Sequence, residues 1–110
     1  MTPDVLSQHS DNEFRTAVRD VEGVLTPASD YTDAEYIIAH KNGEVFLRAK
    51  LGDGISVDGD DFVTKIDDGL ITFEGKFIHQ FVVHDIEGNK LPPVFVRPVV
   101  IKSTFINKAR

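Results

Sequence analysis

The sequence contains no cysteine and no tryptophan, and it has a single methionine. Without cysteine there are no disulfides and no thiolate metal ligands to support a fold. No apolar run approaches the roughly 20 residues that a membrane-spanning helix needs. Met1-Thr2-Pro3-Asp4 has neither the basic stretch nor the apolar run of a secretory signal, and none is expected. Such a composition suits the cytosol, or a particle assembled there. A basic excess is missing too: the net charge is −6, which argues against a protein that tracks nucleic-acid phosphates.

What is present is enough for one ordinary domain. The chain has 110 residues, 41% of them hydrophobic and 27% charged. A chain of that size buries roughly two-thirds of its unfolded surface. Charge is uneven along it, with 15 acidic and 6 basic side chains in residues 1–68 against 3 and 6 in residues 69–110. One reading is a solvated acidic face that keeps the protein soluble; the other is an acidic region of one copy meeting the basic C-terminal region of another.

The apolar residues are mainly Val, Ile and Phe, and they alternate with period two between glycine-bearing turns. Residues 1–12 are polar apart from Val5 and Leu6 and read as a flexible arm, ordered only if something holds it. Residues 13–110 read as a single β-domain with a basic C-terminal tail. Glu13 to Val18 forms a first strand. The clearest hairpin is Glu35–His40 and Val45–Leu51 around Asn42-Gly43, which favours a type I′ turn. Thr32-Asp33-Ala34-Glu35 matches a helix capping box, but the β-branched Ile37-Ile38 pair favours a strand. Turn signals at 52–54, 58–61 and 67–69 enclose short strands, as in a sandwich. Lys76–His84 reads as a long central strand, with Phe77, His79, Phe81 and Val83 on one face. Pro92, Pro93 and Pro98 push the last strand, Val94–Ile106, towards a sheet edge or a bulge.

Chemistry-bearing constellations are weak. Asp58, Asp60 and Asp61 could gather oxygen ligands for Ca²⁺, but the spacing is not that of a calcium loop, and Asp-Gly pairs serve tight turns in their own right. The four histidines, His9, His40, His79 and His84, form no ligand set, and His79 and His84 point to opposite faces of their strand. There is no nucleophile elbow and no phosphate-binding glycine loop. Phe77 and Phe81 could stack on bases, but are more simply core. No cofactor, catalytic residue or nucleic-acid partner is therefore expected.

Leu70, Phe73-Glu74-Gly75-Lys76-Phe77 and Val82-Val83-His84-Asp85-Ile86-Glu87-Gly88 resemble the corner and following hairpin of immunoglobulin-like and fibronectin-like sandwiches. Phe77 departs from the tyrosine corner of those families, because it lacks the hydroxyl that bonds back to the backbone. The wider layout, with Phe14, the Lys41–Glu44 hairpin, Gly54-Ile55, Phe62–Ile66 and the Ile101–Thr104 tail, is similar to small immunoglobulin-like modules of tailed-bacteriophage virion proteins, including the N-terminal domain of baseplate upper proteins. That resemblance implies an immunoglobulin-like β-sandwich of seven to eight short antiparallel strands. It also implies a non-enzymatic assembly protein in a virion tail, neck, baseplate or capsid surface, contacting other virion proteins or copies of itself as a homo-oligomer. The expected contact residues are Val94, Phe95, Val96, Arg97, Phe105, Ile106, Lys108 and Arg110. The alternative is a carbohydrate-binding module, for which Tyr31 and Tyr36 are the only tyrosines.

Overall fold

The computed structural model describes residues 4–8, 10–20 and 22–103. Among these residues ten strands follow in order: β1 (Asp4–Ser7), β2 (Asn12–Thr16), β3 (Val18–Arg19), β4 (Leu25–Thr26), β5 (Asp33–Ala39), β6 (Val45–Leu51), β7 (Gly54–Asp58), β8 (Asp61–Ile66), β9 (Gly75–His84) and β10 (Phe95–Lys102). Eight of them pair in the order β1-β10-β9-β5-β6-β7-β8-β2, and β3 and β4 form a small separate ribbon. The only join between β6 and β7 is a two-residue parallel contact, Lys50 and Leu51 with Gly54 and Ile55. There the sheet folds over on itself. Rings of β2 and β8 then face rings of β5 and β9, with Phe14 and Tyr36 centred 4.9 Å apart and Phe62 and Phe81 5.6 Å apart.

The result is an immunoglobulin-like sandwich, with β1-β10-β9-β5-β6 as one layer and β7-β8-β2 as the other. The strand count is ten rather than seven to eight: β1 and the two-residue β3 and β4 are too short to read from periodicity. Nor is every pairing antiparallel, since β1 runs parallel to β10. Asp4–Ser7, within the segment read as an arm, is therefore held by β10.

Alternation explains the core. β5 buries every second residue, Ala34, Tyr36 and Ile38, each 0% exposed. This is the pattern of a strand with one face inward, and it overrides the local capping-box signal. Central β9 buries Phe77, His79, Phe81 and Val83 on the inner face. The β5–β6 turn differs from a two-residue type I′ turn. The Gly43 N–H donates to the His40 carbonyl at 2.9 Å, placing Lys41 and Asn42 at the turn's centre, and Gly43 follows at φ 93°. A turn followed by a left-handed glycine is the three-residue solution, and a register shift at Ile38/Ala39 accompanies it. The β9–β10 turn is built on Asp85, whose carboxylate accepts from the backbone N–H groups of Asn89 (2.8 Å) and Glu87 (3.0 Å).

Gly54 lies at the fold-over, with φ 97° and an added Cβ only 3.0 Å from the Ala49 Cβ. Gly59 also has positive φ (63°) but open space around it. Gly54→Ala should therefore cost about 2 kcal/mol or more, against about 1 kcal/mol for Gly59→Ala, as read from urea unfolding midpoints.

Candidate functional site

One polar chain runs from the core to the surface. On the inner face, Tyr36 of β5, His79 of β9 and Arg97 of β10 come from three adjacent strands, and β1 adds Asp4. The Tyr36 hydroxyl lies 2.8 Å from His79 Nδ1, and His79 Nε2 lies 2.7 Å from Asp4 Oδ2. Arg97 Nε lies 3.0 Å from the same Asp4 oxygen. A single tautomer satisfies all of these contacts: Nε2–H donates to the carboxylate, and Nδ1 accepts from the tyrosine O–H. The Arg97 guanidinium sits 4.3 Å above the Phe95 ring, which itself packs edge-on against His79.

Burial sets the protonation states. His79 is 5% exposed, and its pKa is lowered, first by desolvation and further by Arg97, with Asp4 opposing. The Tyr36 hydroxyl is pushed well above its ordinary range, mainly by burial and also by the Asp4 charge. Tyr36 is therefore a permanent donor and His79 a neutral bridge. Neither nitrogen of His79 is free to act as a base, since both are engaged, and the Tyr36 hydroxyl is buried.

Beside the network, the open seam of the sandwich forms a groove of about 540 Å³. β1 and β2 line its two sides, with His79, Phe95 and Arg97 among its walls. On its β2 side, Arg15 donates to Asp58 Oδ2 at 2.9 Å and Asp61 Oδ2 at 3.2 Å. Two of the three candidate calcium ligands thus hold a guanidinium instead, and Asp60 does not join them. Among the described residues, no group of three His, Cys, Asp or Glu side chains converges on a point.

The expected contact residues separate. Phe95 and Arg97 face inward to the network and groove, while Val96, 54% exposed, faces outward; Val94 is half-buried against the core. Phe105, Ile106, Lys108 and Arg110 lie outside the described residues, as does His9. Of the two tyrosines considered for sugar binding, Tyr36 is fully buried, and Tyr31 is half-buried with its hydroxyl 2.6 Å from that of Thr26. Asp4 was not legible as a partner. The one available signal was a histidine on an apolar strand face, which required acceptors from somewhere.

No protein-family model matches this chain, and no curated protein does. Among solved structures it is similar to one described as the fibronectin(III)-like modules of Clostridium thermocellum CbhA, at 9% identity and a TM-score of 0.46, over 94% of this chain and 93% of that one. These values are too low to carry an argument about activity.

The network implies a pH dependence of stability. The folded-state pKa of His79 lies below the ordinary 6.5, so the unfolded chain takes up this proton first as pH falls. Its contribution is therefore complete above pH 6.5 and declines below it. Asp85, also lowered, adds a separate loss only below its ordinary 3.8. Denaturant titrations between pH 8 and 5 should show wild type losing stability faster than His79→Gln, with equal slopes weighing against a neutral buried imidazole.

Proposed function

We propose that this chain is a non-catalytic assembly module that acts through protein–protein contacts on the outer face of its larger layer. The observation that carries the reading is an apolar stripe on that face. Strand register puts Val5, Val96, Pro98, Val100, Ile78 and Ile37 outward on one face, with Gln80 between Val96 and Ile37 and Lys76 beside Val100, opposite the inward rows of Tyr36, Phe81 and Phe95. Val5 and Val96 are 50% and 54% exposed. A shallow depression of about 520 Å³ between Lys41, Lys76 and Val96–Val100 gives the stripe a basic border. Contiguous apolar surface with a polar border is the usual composition of an interaction patch.

The partner that complements this face is apolar with an acidic rim. The opposite layer with its adjoining loops carries Asp53, Asp58, Asp60, Asp61, Asp67 and Asp68, so another copy of this chain meets part of that requirement. The similarity to small virion modules extends the reading to a component of a phage particle, in contact with copies of itself or with other virion proteins. Sugar binding is less well supported, since Tyr36 is fully buried and Tyr31 is half-buried with its hydroxyl engaged by Thr26.

Light scattering across micromolar to millimolar concentrations tests this reading. Wild type should gain mass with concentration, less so in high salt, and Val96→Glu should remain monomeric at an unchanged melting temperature. A wild type that stays monomeric throughout, and is missing from purified particles of its host's phage, would overturn it.

A further inference from the structure

The N-terminal strand is attached in an unusual way for so short an element. β1 pairs over only four residues, Asp4↔Val99 to Ser7↔Lys102, on the outer edge of β10. Its first residue then places a carboxylate between the two donors already described, His79 Nε2–H and Arg97 Nε–H. Those donors are prepared without it. The imidazole is fixed by the Tyr36 hydroxyl and by packing against Phe95, and the guanidinium rests on the Phe95 ring. With β1 removed, a buried N–H on His79 would lose its acceptor. The β10 edge is thus a preformed receptor for an extended segment that begins with a carboxylate and alternates outward and inward. Val5 is exposed on the outer face, and Leu6 packs towards the core.

We propose that β1 is an exchangeable strand, and that the β10 edge with its His79–Arg97 clamp also receives the Asp4–Ser7 segment of a second copy, giving a reciprocally strand-exchanged dimer. Each copy carries both the ligand segment and the receptor, so exchange can conserve the contacts of β1, including the Gln8 N–H bond to the Lys102 carbonyl that extends it, and re-route only the chain between Gln8 and Asn12. β1 belongs with β10 and β2 with β8, so the chain changes layers over that short link. The closed form is favoured in dilute solution by the shortness of that link, and the exchanged form by concentration. This goes beyond the outer-face reading and does not depend on it.

The absence of cysteine makes a disulfide test unambiguous. Leu6 and Ile101 are Cα partners across β1 and β10, on the inner face where surface association cannot reach them. Adjacent strands lie about 4.8 Å apart, within the range a disulfide bridges. In Leu6→Cys/Ile101→Cys, oxidised with glutathione disulfide after equilibration at rising concentration, the bond should lie within one chain when dilute and link two chains when concentrated. By mass action the covalent dimer-to-monomer ratio should rise roughly tenfold per tenfold concentration. Outer-face association alone would leave every bond within a chain, so failure of one proposal is distinguishable from failure of the other. Should the double variant not fold, deletion of Ser10 and Asp11 gives the second reading: the shortened link should force a folded dimer at every concentration. Intramolecular bonds at all concentrations, or a monomeric deletion variant, would overturn strand exchange.

Discussion

A buried imidazole must have both of its nitrogens satisfied, and much of this structure follows from how His79 meets that demand. Its strand is the centre of the larger layer, flanked by β5 and β10. One nitrogen is served from β5 by Tyr36, the other from beyond β10 by Asp4. The histidine therefore specifies the lateral order of four strands: only when β1 lies outside β10, in its observed register, does the carboxylate reach it. An apolar residue at that position would pack as well, but it would leave β1 with four backbone pairs and little to hold it in register.

The same interaction explains how the domain manages its edge. An open strand invites pairing with other chains, and inward-facing charge on an edge strand is one common protection. Arg97 provides that charge on β10, stacked on Phe95 and neutralised by Asp4. β1 covers Val99–Lys102, and Pro98 removes a donor from the part just before it. The apolar outer stripe therefore presents side chains, not backbone groups, to its surroundings.

Much of the fold was legible from residue patterning because it depends on local alternation. The Glu35–Leu51 hairpin, the inward set Phe77, His79, Phe81 and Val83, and the central place of β9 all follow from period two and the nearby turns. The turn at Asn42-Gly43 was displaced by one residue, since Gly43 spends its left-handed conformation on a bulge after the turn. β1 was illegible for a different reason. Val5 and Leu6 are too few to signal a strand, and the pairing that orders them lies 95 residues away at Val99–Lys102. The site shared that fate. His79 was readable as a satisfied core histidine, but its partners lie 43 and 75 residues away, and only the strand order brings them together.

The account is tested most directly at the imidazole itself. Nitrogen-detected NMR of His79 reports tautomer, protonation and hydrogen bonding in one experiment. The expected result is a neutral ring bearing its proton on Nε2, titrating below 6.5, with that proton slowed in exchange in wild type and exposed to rapid exchange in Asp4→Ala. A ring that titrates at or above 6.5, carries its proton on Nδ1, or is indifferent to Asp4→Ala would contradict the claim that this histidine fastens the N-terminal strand.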